Sequence, residues 1–377
     1  ATSAAAGAGP LTAADSWTAK HQRDPEDVAL NMLEVPLLPF KNPAGDACAE
    51  RVWCMSQSLL AQQIDRWQNP HPENCVTAKF LVHEPPNFGI GSMLHLAANA
   101  LAVAVCTGRI LIFPPPTVSQ LWKPHGCGAH HSLECYFKRV TSCRPTLPPF
   151  HELPFLDSDN WASLANETYV RIRGKPDGPC GLCKSKALYP LRRTNMRAME
   201  FEAQLNAQHT AYLMRPQRWL NKAIRGFIEN QPTRSRLVER PFVSMHVRYG
   251  DKVSETPRVP LDVYMRILRR HHPGVRNVFL STETTEVITN LTRDYPEYRF
   301  VSFAYKRIEE KRPPGGLEEF ISSIANLMVA VQADGFVGSL TSNWCRLIME
   351  LNRLRGDGGA EYFSVDGTQF ALCKGVV

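Results

Sequence analysis

The sequence predicts an α/β protein built from two Rossmann-type lobes that face one another across a cleft. Short apolar segments alternate with helix-length segments along residues 79–113, and again from residue 242 onward. Repeated βα units of this kind are typical of parallel, doubly wound sheets with right-handed crossovers. A chain of 377 residues is long enough for two such lobes.

The amino-terminal half contains one clear βαβ unit. Its predicted parts are a strand at 80–82, a helix at 92–107 and a strand at 110–113, which together have the size of that motif. The other elements predicted in this half are a helix at 53–67, an irregular, disulfide-tied insertion at 117–190 that is rich in Pro, Cys, His and Gly, and helices at 196–214 and 219–229.

The carboxyl-terminal half alternates more regularly. Its predicted strands are 242–247, 277–281, 299–303 and 335–337, and the helices that follow them are 261–270, 284–295, 317–332 and 343–354. We therefore predict a flexible stem at 1–20, an amino-terminal α/β lobe at 21–234 and a carboxyl-terminal Rossmann-type lobe at 235–377.

Composition indicates an oxidising, lumenal compartment. Eleven cysteines are many for a cytosolic enzyme, and glycosylation sequons begin at Asn166 and Asn290. No stretch of about 18 apolar residues is present, so membrane attachment is expected only through an anchor upstream of residue 1. The net charge is +7, but the basic residues are scattered and no aromatic-interleaved stripe predicts nucleic-acid binding.

The most informative segment is 242–255. A buried-strand pattern, Phe-Val-Ser-Met-His-Val, is followed at once by four charged side chains: Arg248, Asp251, Lys252 and Glu255. Charges at the carboxyl end of a strand lie where α/β folds bind ligands. An arginine there can bind phosphate oxygens bidentately, and a glutamate can act as a base. The alternative is a solvated loop that makes its own ion pairs.

Two further loops are candidate anion or ligand sites. Ser342 lies at the start of a predicted helix, after Gly338, where a helix N-terminus favours anions. Gly89 and Gly91 precede the helix at 92–107, and glycines let a backbone approach a ligand closely. Each loop could equally be an ordinary helix start. Neither the dinucleotide fingerprint nor a P-loop is present.

The remaining motifs favour structural roles over catalytic or metal-binding ones. The pair Asp157 and Asp159 resembles a metal-bound sugar-nucleotide site, but it follows no clear strand and favours a loop or cap. Cys180 and Cys183 favour a structural disulfide over a redox or zinc site. Histidines beside cysteines at 125–135 are expected to be ordinary loop residues. We predict no metal site.

The order of these motifs resembles the α1,6-fucosyltransferase superfamily, which includes the core N-glycan α1,6-fucosyltransferases of glycosyltransferase family 23. His246, Arg248, Asp251 and Lys252 are similar to its HxRxxDK motif. The segments 87–95 with 108–112, and 333–346, are similar to its glycine loop with the following strand and to its serine loop with the Cys-Arg helix. The similarity extends over roughly residues 75–370.

This resemblance implies a GT-B-like fold and a GDP-fucose donor held mainly by the carboxyl-terminal lobe, with no metal and no other cofactor. Arg248 would bind the β-phosphate, Glu255 would be the base with Lys252 beside it, and the reaction would be inverting. The further donor-binding residues implied are His246, Asp251, Tyr264, Glu283, Asn326, Ser342, Gly89 and Gly91.

The chain departs from the family in ways that bear on its substrates. Tyr249 stands where the core enzymes have a second arginine, Asn326 where they have an acidic residue, and Glu283 is one carboxylate where they have a pair. The sequence stops soon after Phe370, so we expect no SH3 domain. Oligomeric state is left open.

Three functions compete. The leading hypothesis is a Golgi-lumenal fucosyltransferase that modifies a glycan or glycoprotein acceptor, the core GlcNAc of N-glycans first. The alternatives are a glycosyltransferase that uses another GDP-sugar or a protein hydroxyl, and a non-catalytic glycan- or nucleotide-binding protein. The sequence retains Arg248, Lys252 and Glu255 together, which argues against a non-catalytic binding protein.

The resemblance also bears on the cysteines. Cys75 and Cys143 occupy positions of a bonded pair in the family. Cys345 matches a half-cystine whose partner position is Gly338 here, so Cys345 pairs with Cys373 or stays free. Cys106, on an apolar helix, is predicted to be the unpaired thiol.

Overall fold

The amino-terminal half forms a three-stranded parallel sheet in the order β2-β1-β3. The structure, a computed structural model, describes residues 59–84, 89–113, 133–156, 160, 162–173, 198–231, 238–249, 258–303, 316–354 and 360–366. The elements of this half are α1 (Leu59–Gln68), β1 (Phe80–Glu84), α2 (Ile90–Cys106), β2 (Ile110–Ile112), β3 (Tyr169–Arg173), α3 (Ala198–Leu213) and α4 (Arg218–Glu229), with short 3₁₀ turns at Pro72–Cys75, Leu133–Cys135 and Phe150–Glu152.

The predicted βαβ unit is confirmed, since β1 and β2 pair in parallel and α2 connects them. Helix α2 is predominantly apolar and almost entirely buried. It passes between the sheet and the helices of both halves, so an amphipathic pattern would not suit its position.

Strand β3 was not predicted. It lies within the segment 117–190 that the sequence indicates is irregular, yet it pairs in parallel with β1 from Phe80↔Tyr169 to Glu84↔Arg173. Val170 and Ile172 are buried whereas Tyr169 and Arg171 are half-exposed, an alternation of period two. That expectation of an irregular insertion is therefore wrong over Tyr169–Arg173, because pairing with β1 gives this short segment a buried face.

The carboxyl-terminal half forms a five-stranded parallel sheet in the order β6-β5-β4-β7-β8. Its elements are β4 (Phe242–Val247), α5 (Leu261–His271), β5 (Asn277–Thr282), α6 (Thr285–Asp294), β6 (Arg299–Val301), α7 (Leu317–Ala330), β7 (Gly335–Gly338), α8 (Asn343–Asn352) and β8 (Glu361–Ser364). All but β8 are predicted elements with ends that shift by a few residues. The predicted α/β fold class, with parallel sheets and a disulfide, is confirmed.

The order of these five strands creates a topological switch point. The chain runs from β4 outward to β5 and β6, then returns to the other side of β4 for β7 and β8. Crossover helices therefore leave β4 and β7 in opposite directions, and a crevice opens between the carboxyl ends of these two strands. Open α/β sheets bind their ligands in this crevice.

The two halves share buried contacts. Helix α8 packs against α2 and α3, and α4 packs against α7. One apolar core cluster accordingly contains residues from both halves, including Leu101, Ile224, Leu327 and Leu347. The boundary at residue 234 stays a prediction, and the stem at 1–20 lies outside the described residues. The described part of the chain contains no helix long and apolar enough to cross a membrane.

The disulfide between Cys75 and Cys143 is confirmed. The prediction for Cys106 is wrong, because Cys106 is disulfide-bonded. Among the cysteines that the structure describes, the free thiol is Cys345, which is buried. An apolar helix is therefore compatible with a half-cystine at its end, and burial alone does not identify an unpaired cysteine.

Candidate functional site

Arg248 and Glu283 meet at the carboxyl edge of the carboxyl-terminal sheet. Each comes directly after its strand, β4 or β5, and the last residues of those strands, Val247 and Thr282, are register partners. Arg248 Nη1 lies 2.9 Å from Glu283 Oε1, with the side chains 35% and 13% exposed. The structure thus brings together two residues that the sequence separates by a whole βα unit, beside the switch point.

His246 is the buried, second-last residue of β4, just before this edge. Burial, and then the positive charge of Arg248, lower the pKa of its imidazole to about 3. The ring is therefore neutral at physiological pH. Its Nδ1 lies 3.0 Å from the Sγ of Cys345 on α8.

Asn326 reaches the same strand ends from α7. Its Oδ1 accepts a hydrogen bond of 3.2 Å from Ser281 Oγ, and its Nδ2 donates one of 2.8 Å to the Ser322 carbonyl. Ser281 is the register partner of His246. Ser281 of β5 therefore links His246 and Asn326, two residues predicted to bind the sugar-nucleotide donor. Hydrogen bonds at both the oxygen and the nitrogen of the Asn326 amide fix its orientation.

Ser342 is the N-cap residue of α8, as predicted, but its hydroxyl makes no capping hydrogen bond to the helix. The hydroxyl instead lies beside the thiol of Cys345. Tyr264 is buried in the core cluster beneath β4, where burial raises the pKa of its phenol. Both side chains lie around the carboxyl ends of β4 and β7.

The glycine loop of the amino-terminal half meets the serine loop. A Cβ added at Gly91 would lie 3.1 Å from the backbone nitrogen of Trp344, whereas Gly89 has open space around it. Asn343 Nδ2 donates a hydrogen bond of 2.7 Å to Ser92 Oγ. The N-termini of α2 and α8 therefore lie side by side at the crevice, and both present backbone N–H groups and positive dipole ends.

Sequence reasoning missed Asp366. Its carboxylate accepts hydrogen bonds from Ser339 Oγ at 2.5 Å, from the backbone nitrogen of Thr341 at 3.1 Å, and from Ser364 Oγ. It therefore ties the serine loop to the end of β8. The signal was available, because a polar Ser-Val-Asp segment follows a short apolar run as the charged residues follow β4.

Asp251, Lys252 and Glu255 lie outside the described residues, but the two ends of their segment are held together. Tyr249 Oη donates a hydrogen bond of 2.5 Å to the Val259 carbonyl, and the guanidinium of Arg258 lies 5.1 Å from the centre of the Tyr249 ring. Tyr249 and Arg258, which flank this segment in the sequence, therefore lie close together next to Arg248.

The other candidate motifs are not described. Asp157, Asp159, Cys180, Cys183 and the histidines at 125–131 all lie outside the described residues. Within the described ranges, no three His, Cys, Asp or Glu side chains come together in a way that could hold a metal ion.

Comparison with known proteins agrees with the sequence motifs. Residues 204–369 match the family described as alpha-(1,6)-fucosyltransferase N- and catalytic domains. A curated alpha-(1,6)-fucosyltransferase of Drosophila melanogaster is 27% identical over 261 residues, which cover 64% of this chain and 38% of the relative. The chain thus matches less than half the length of that relative. The predicted resemblance to the α1,6-fucosyltransferase superfamily is confirmed.

Solved structures give weaker similarity. A crystal structure of POFUT1 in complex with GDP covers 76% of this chain and 97% of its own, with 11% identity and a TM-score of 0.46. A crystal structure of the fucosyltransferase NodZ from Bradyrhizobium covers 72% and 93%, with 12% identity and a TM-score of 0.44.

Proposed function

We propose that this protein is an inverting, metal-independent fucosyltransferase. Its residues 204–369 match the family described as alpha-(1,6)-fucosyltransferase N- and catalytic domains. It transfers fucose from GDP-fucose to a glycan acceptor, with the core GlcNAc of N-glycans as the first candidate. One observation carries the proposal: the matched segment contains the crevice between β4 and β7 with Arg248 at its edge. The amino-terminal lobe would face the acceptor.

Arg248 is the proposed diphosphate-binding residue. A guanidinium presents five N–H donors in a plane, so an ion pair with Glu283 is compatible with a second, bidentate contact to phosphate. Glu283 would hold the guanidinium in place before the donor arrives. The adjoining N-termini of α2 and α8, with Gly89, Gly91 and Ser342, would add partial positive charge around the same diphosphate.

His246 and Asn326 are the proposed guanine-side residues, because they meet at the ends of β4 and β5 through Ser281. A carboxylate at position 326 would accept hydrogen bonds from guanine N–H groups more strongly than an amide does. We therefore expect a weaker base-specific contribution here than in relatives with an acidic residue.

The proposed reaction follows from the family resemblance and uses one base and one phosphate-binding residue. Glu255 would take the proton of the acceptor hydroxyl, with Lys252 beside it. The acceptor oxygen would then attack the anomeric carbon of fucose while the bond from that carbon to the β-phosphate oxygen breaks. The electron pair leaves with GDP, and Arg248 stabilises the negative charge that develops there. Attack opposite the leaving group inverts the anomeric centre.

Calorimetric titration with GDP, with UDP as the matched control and EDTA present, tests the donor assignment. We expect GDP to bind and UDP not to bind. Absence of GDP binding would contradict the proposal. Turnover assays with a set of GDP-sugars and glycan acceptors would follow, and a strict Mn²⁺ requirement would overturn metal independence and direct attention to Asp157 and Asp159.

A second candidate keeps the reaction class but changes the substrates. Tyr249 and Asn326 differ from the family pattern at the donor site, which favours another GDP-sugar or a protein hydroxyl acceptor. Transfer from a different GDP-sugar, with GDP binding intact, would select this alternative. GDP binding without any transfer would favour a non-catalytic binding protein.

The Golgi lumen is the proposed compartment. The Cys75–Cys143 disulfide suits an oxidising environment, and Asn166 of the first sequon is exposed in a turn that buried Arg109 holds through the Leu164 and Glu167 carbonyls. Expression through a eukaryotic secretory pathway should yield a glycan at Asn166, removed by peptide N-glycosidase and absent from Asn166→Gln. An unmodified Asn166 in the secreted protein would count against this compartment.

A further inference from the structure

We infer that the buried thiol of Cys345 is a positioning residue for the donor site, which sets the tautomer and orientation of His246. The inference rests on the proposed function only for the identity of the ligand. The contact itself joins β4 to α8 across the switch point, where a donor would lie.

The geometry places the two side chains in direct contact. Cys345 Sγ lies 3.0 Å from His246 Nδ1, a hydrogen-bonding distance for sulfur. Cys345 is fully buried and His246 is 8% exposed. The side chains of Ser342 and Tyr362 also lie beside the thiol.

The chemistry of this contact selects one tautomer. Burial raises the pKa of the Cys345 thiol to about 12 and lowers that of His246 to about 3, so both groups are neutral at physiological pH. An imidazole nitrogen is a better acceptor than a thiol sulfur, so the S–H donates to Nδ1. The ring proton then resides on Nε2, which makes that nitrogen a hydrogen-bond donor at the end of β4.

The glycine at position 338 leaves the Cys345 thiol without a disulfide partner at that position. A Cβ added at Gly338 would lie 2.9 Å from Cys345 Sγ, and bonded half-cystines place one Cβ roughly 3 Å from the other sulfur. The sulfur therefore sits where a disulfide to residue 338 would hold it. Because residue 338 is glycine, the sulfur keeps its proton and bonds His246 instead.

The first experiment compares Cys345→Ala with Cys345→Ser. Loss of the donor in Cys345→Ala should weaken GDP binding and raise KM for GDP-fucose by about 3- to 10-fold, the effect of one hydrogen bond, with a smaller change in kcat. The hydroxyl of Cys345→Ser should restore most of this. Nitrogen-15 NMR of the histidine ring, without ligand, should show the Nε2–H tautomer of His246 in the wild type and in Cys345→Ser, and a mixture in Cys345→Ala.

A second variant removes the donor without removing the sulfur. In Gly338→Cys, oxidised glutathione should take two electrons and two protons from the thiols of residues 338 and 345, which forms their disulfide and two reduced glutathiones. The oxidised form should lose the S–H donor and the single tautomer, and reduction with dithiothreitol should restore both. Gly338→Ala is the control, because its Cβ meets the same Phe336 ring and Cys345 sulfur but cannot form the bond.

The outcomes separate this inference from the proposed function. Equal tautomer populations in the reduced and oxidised forms of Gly338→Cys, or in wild type and Cys345→Ala, would overturn the positioning role whatever the ligand. A wild-type protein with the Nε2–H tautomer but no affinity for GDP would contradict the proposal that GDP-fucose is the donor substrate. The role of Cys345 in setting the tautomer of His246 would still be supported.

Discussion

At the scale of single residues, the proposal that this site binds GDP-fucose depends most on Arg248. It is the arginine that directly follows the central strand of the five-stranded sheet, and its ion pair with Glu283 spans two adjacent strand ends. The sequence motif indicated this residue, but the ion pair adds a reason for its orientation. Two variants at this scale distinguish binding from chemistry.

Arg248→Ala should abolish turnover and weaken GDP binding by at least about tenfold, because a hydrogen bond to a charged group contributes about 1.5–3 kcal/mol. Calorimetric titration with GDP measures the loss. Arg266→Ala is a matched control, since it removes the same charge from an exposed ion pair on α5. GDP affinity that stays normal in Arg248→Ala would rule out the phosphate-binding role.

Glu255→Gln should leave GDP binding unchanged and reduce fucose transfer by about 10²–10⁴-fold, the range for loss of a general base. The amide keeps the size of the side chain while removing its ability to take a proton. Steady-state kinetics with GDP-fucose and a glycan acceptor measure the effect. Full activity in this variant would mean that another residue is the base.

At the scale of elements, the junction of α2 with α8 brings the amino-terminal glycine loop to the carboxyl-terminal serine loop. Gly91 makes this approach possible because it has no Cβ to meet the Trp344 backbone. The Ser92–Asn343 hydrogen bond continues the same junction. The two loops therefore depend on one another for their positions.

Gly91→Ala should destabilise the protein by about 1–3 kcal/mol, because its Cβ would crowd a backbone atom that cannot move alone. Gly89→Ala, two residues earlier and with open space around it, should change stability by less than about 1 kcal/mol. Thermal or chemical unfolding of the two variants makes the comparison. Equal stabilities would show that the helix ends can separate without cost.

At the scale of the whole molecule, three buried histidines couple folding to pH. Burial lowers the pKa of His83 to about 4 and those of His209 and His246 to about 3, from 6.5 when exposed. Below pH 6.5 the unfolded chain therefore binds protons that the folded chain does not. Stability is full above that pH and is lost as the pH falls toward 4.

Lowering the pH from 6.5 to 5.5 should reduce the free energy of unfolding by about 3 kcal/mol, because each unfolded imidazole goes from half to almost fully protonated and contributes about 1 kcal/mol. Denaturant unfolding at several pH values measures this slope. His209→Leu should remove about a third of it, whereas His71→Ala, at an exposed site, should leave it unchanged. A pH-independent stability between pH 7 and pH 5 would contradict the neutral, buried state of these rings.

Hydrophobic pattern alone predicted most elements of the fold, because the period of apolar residues is a local property of the chain. It located β4 at Phe242–Val247 and the helices of the carboxyl-terminal half to within a few residues. The charged motif after β4 and the family resemblance likewise needed only neighbouring residues. These features predicted the fold class and the resemblance to the α1,6-fucosyltransferase superfamily.

Tertiary structure decided what depends on distant partners. Tyr169–Arg173 and Glu361–Ser364 are strands because a neighbouring strand accepts their hydrogen bonds, which a short segment cannot reveal by itself. Whether a cysteine is bonded depends on where its partner lies, so the prediction of an unpaired Cys106 is wrong, and only the structure decided that Cys345 is free. The meeting of Arg248 with Glu283, and of His246 with Cys345, likewise follows from strand order, because long-range pairing and not local pattern brings these side chains within reach.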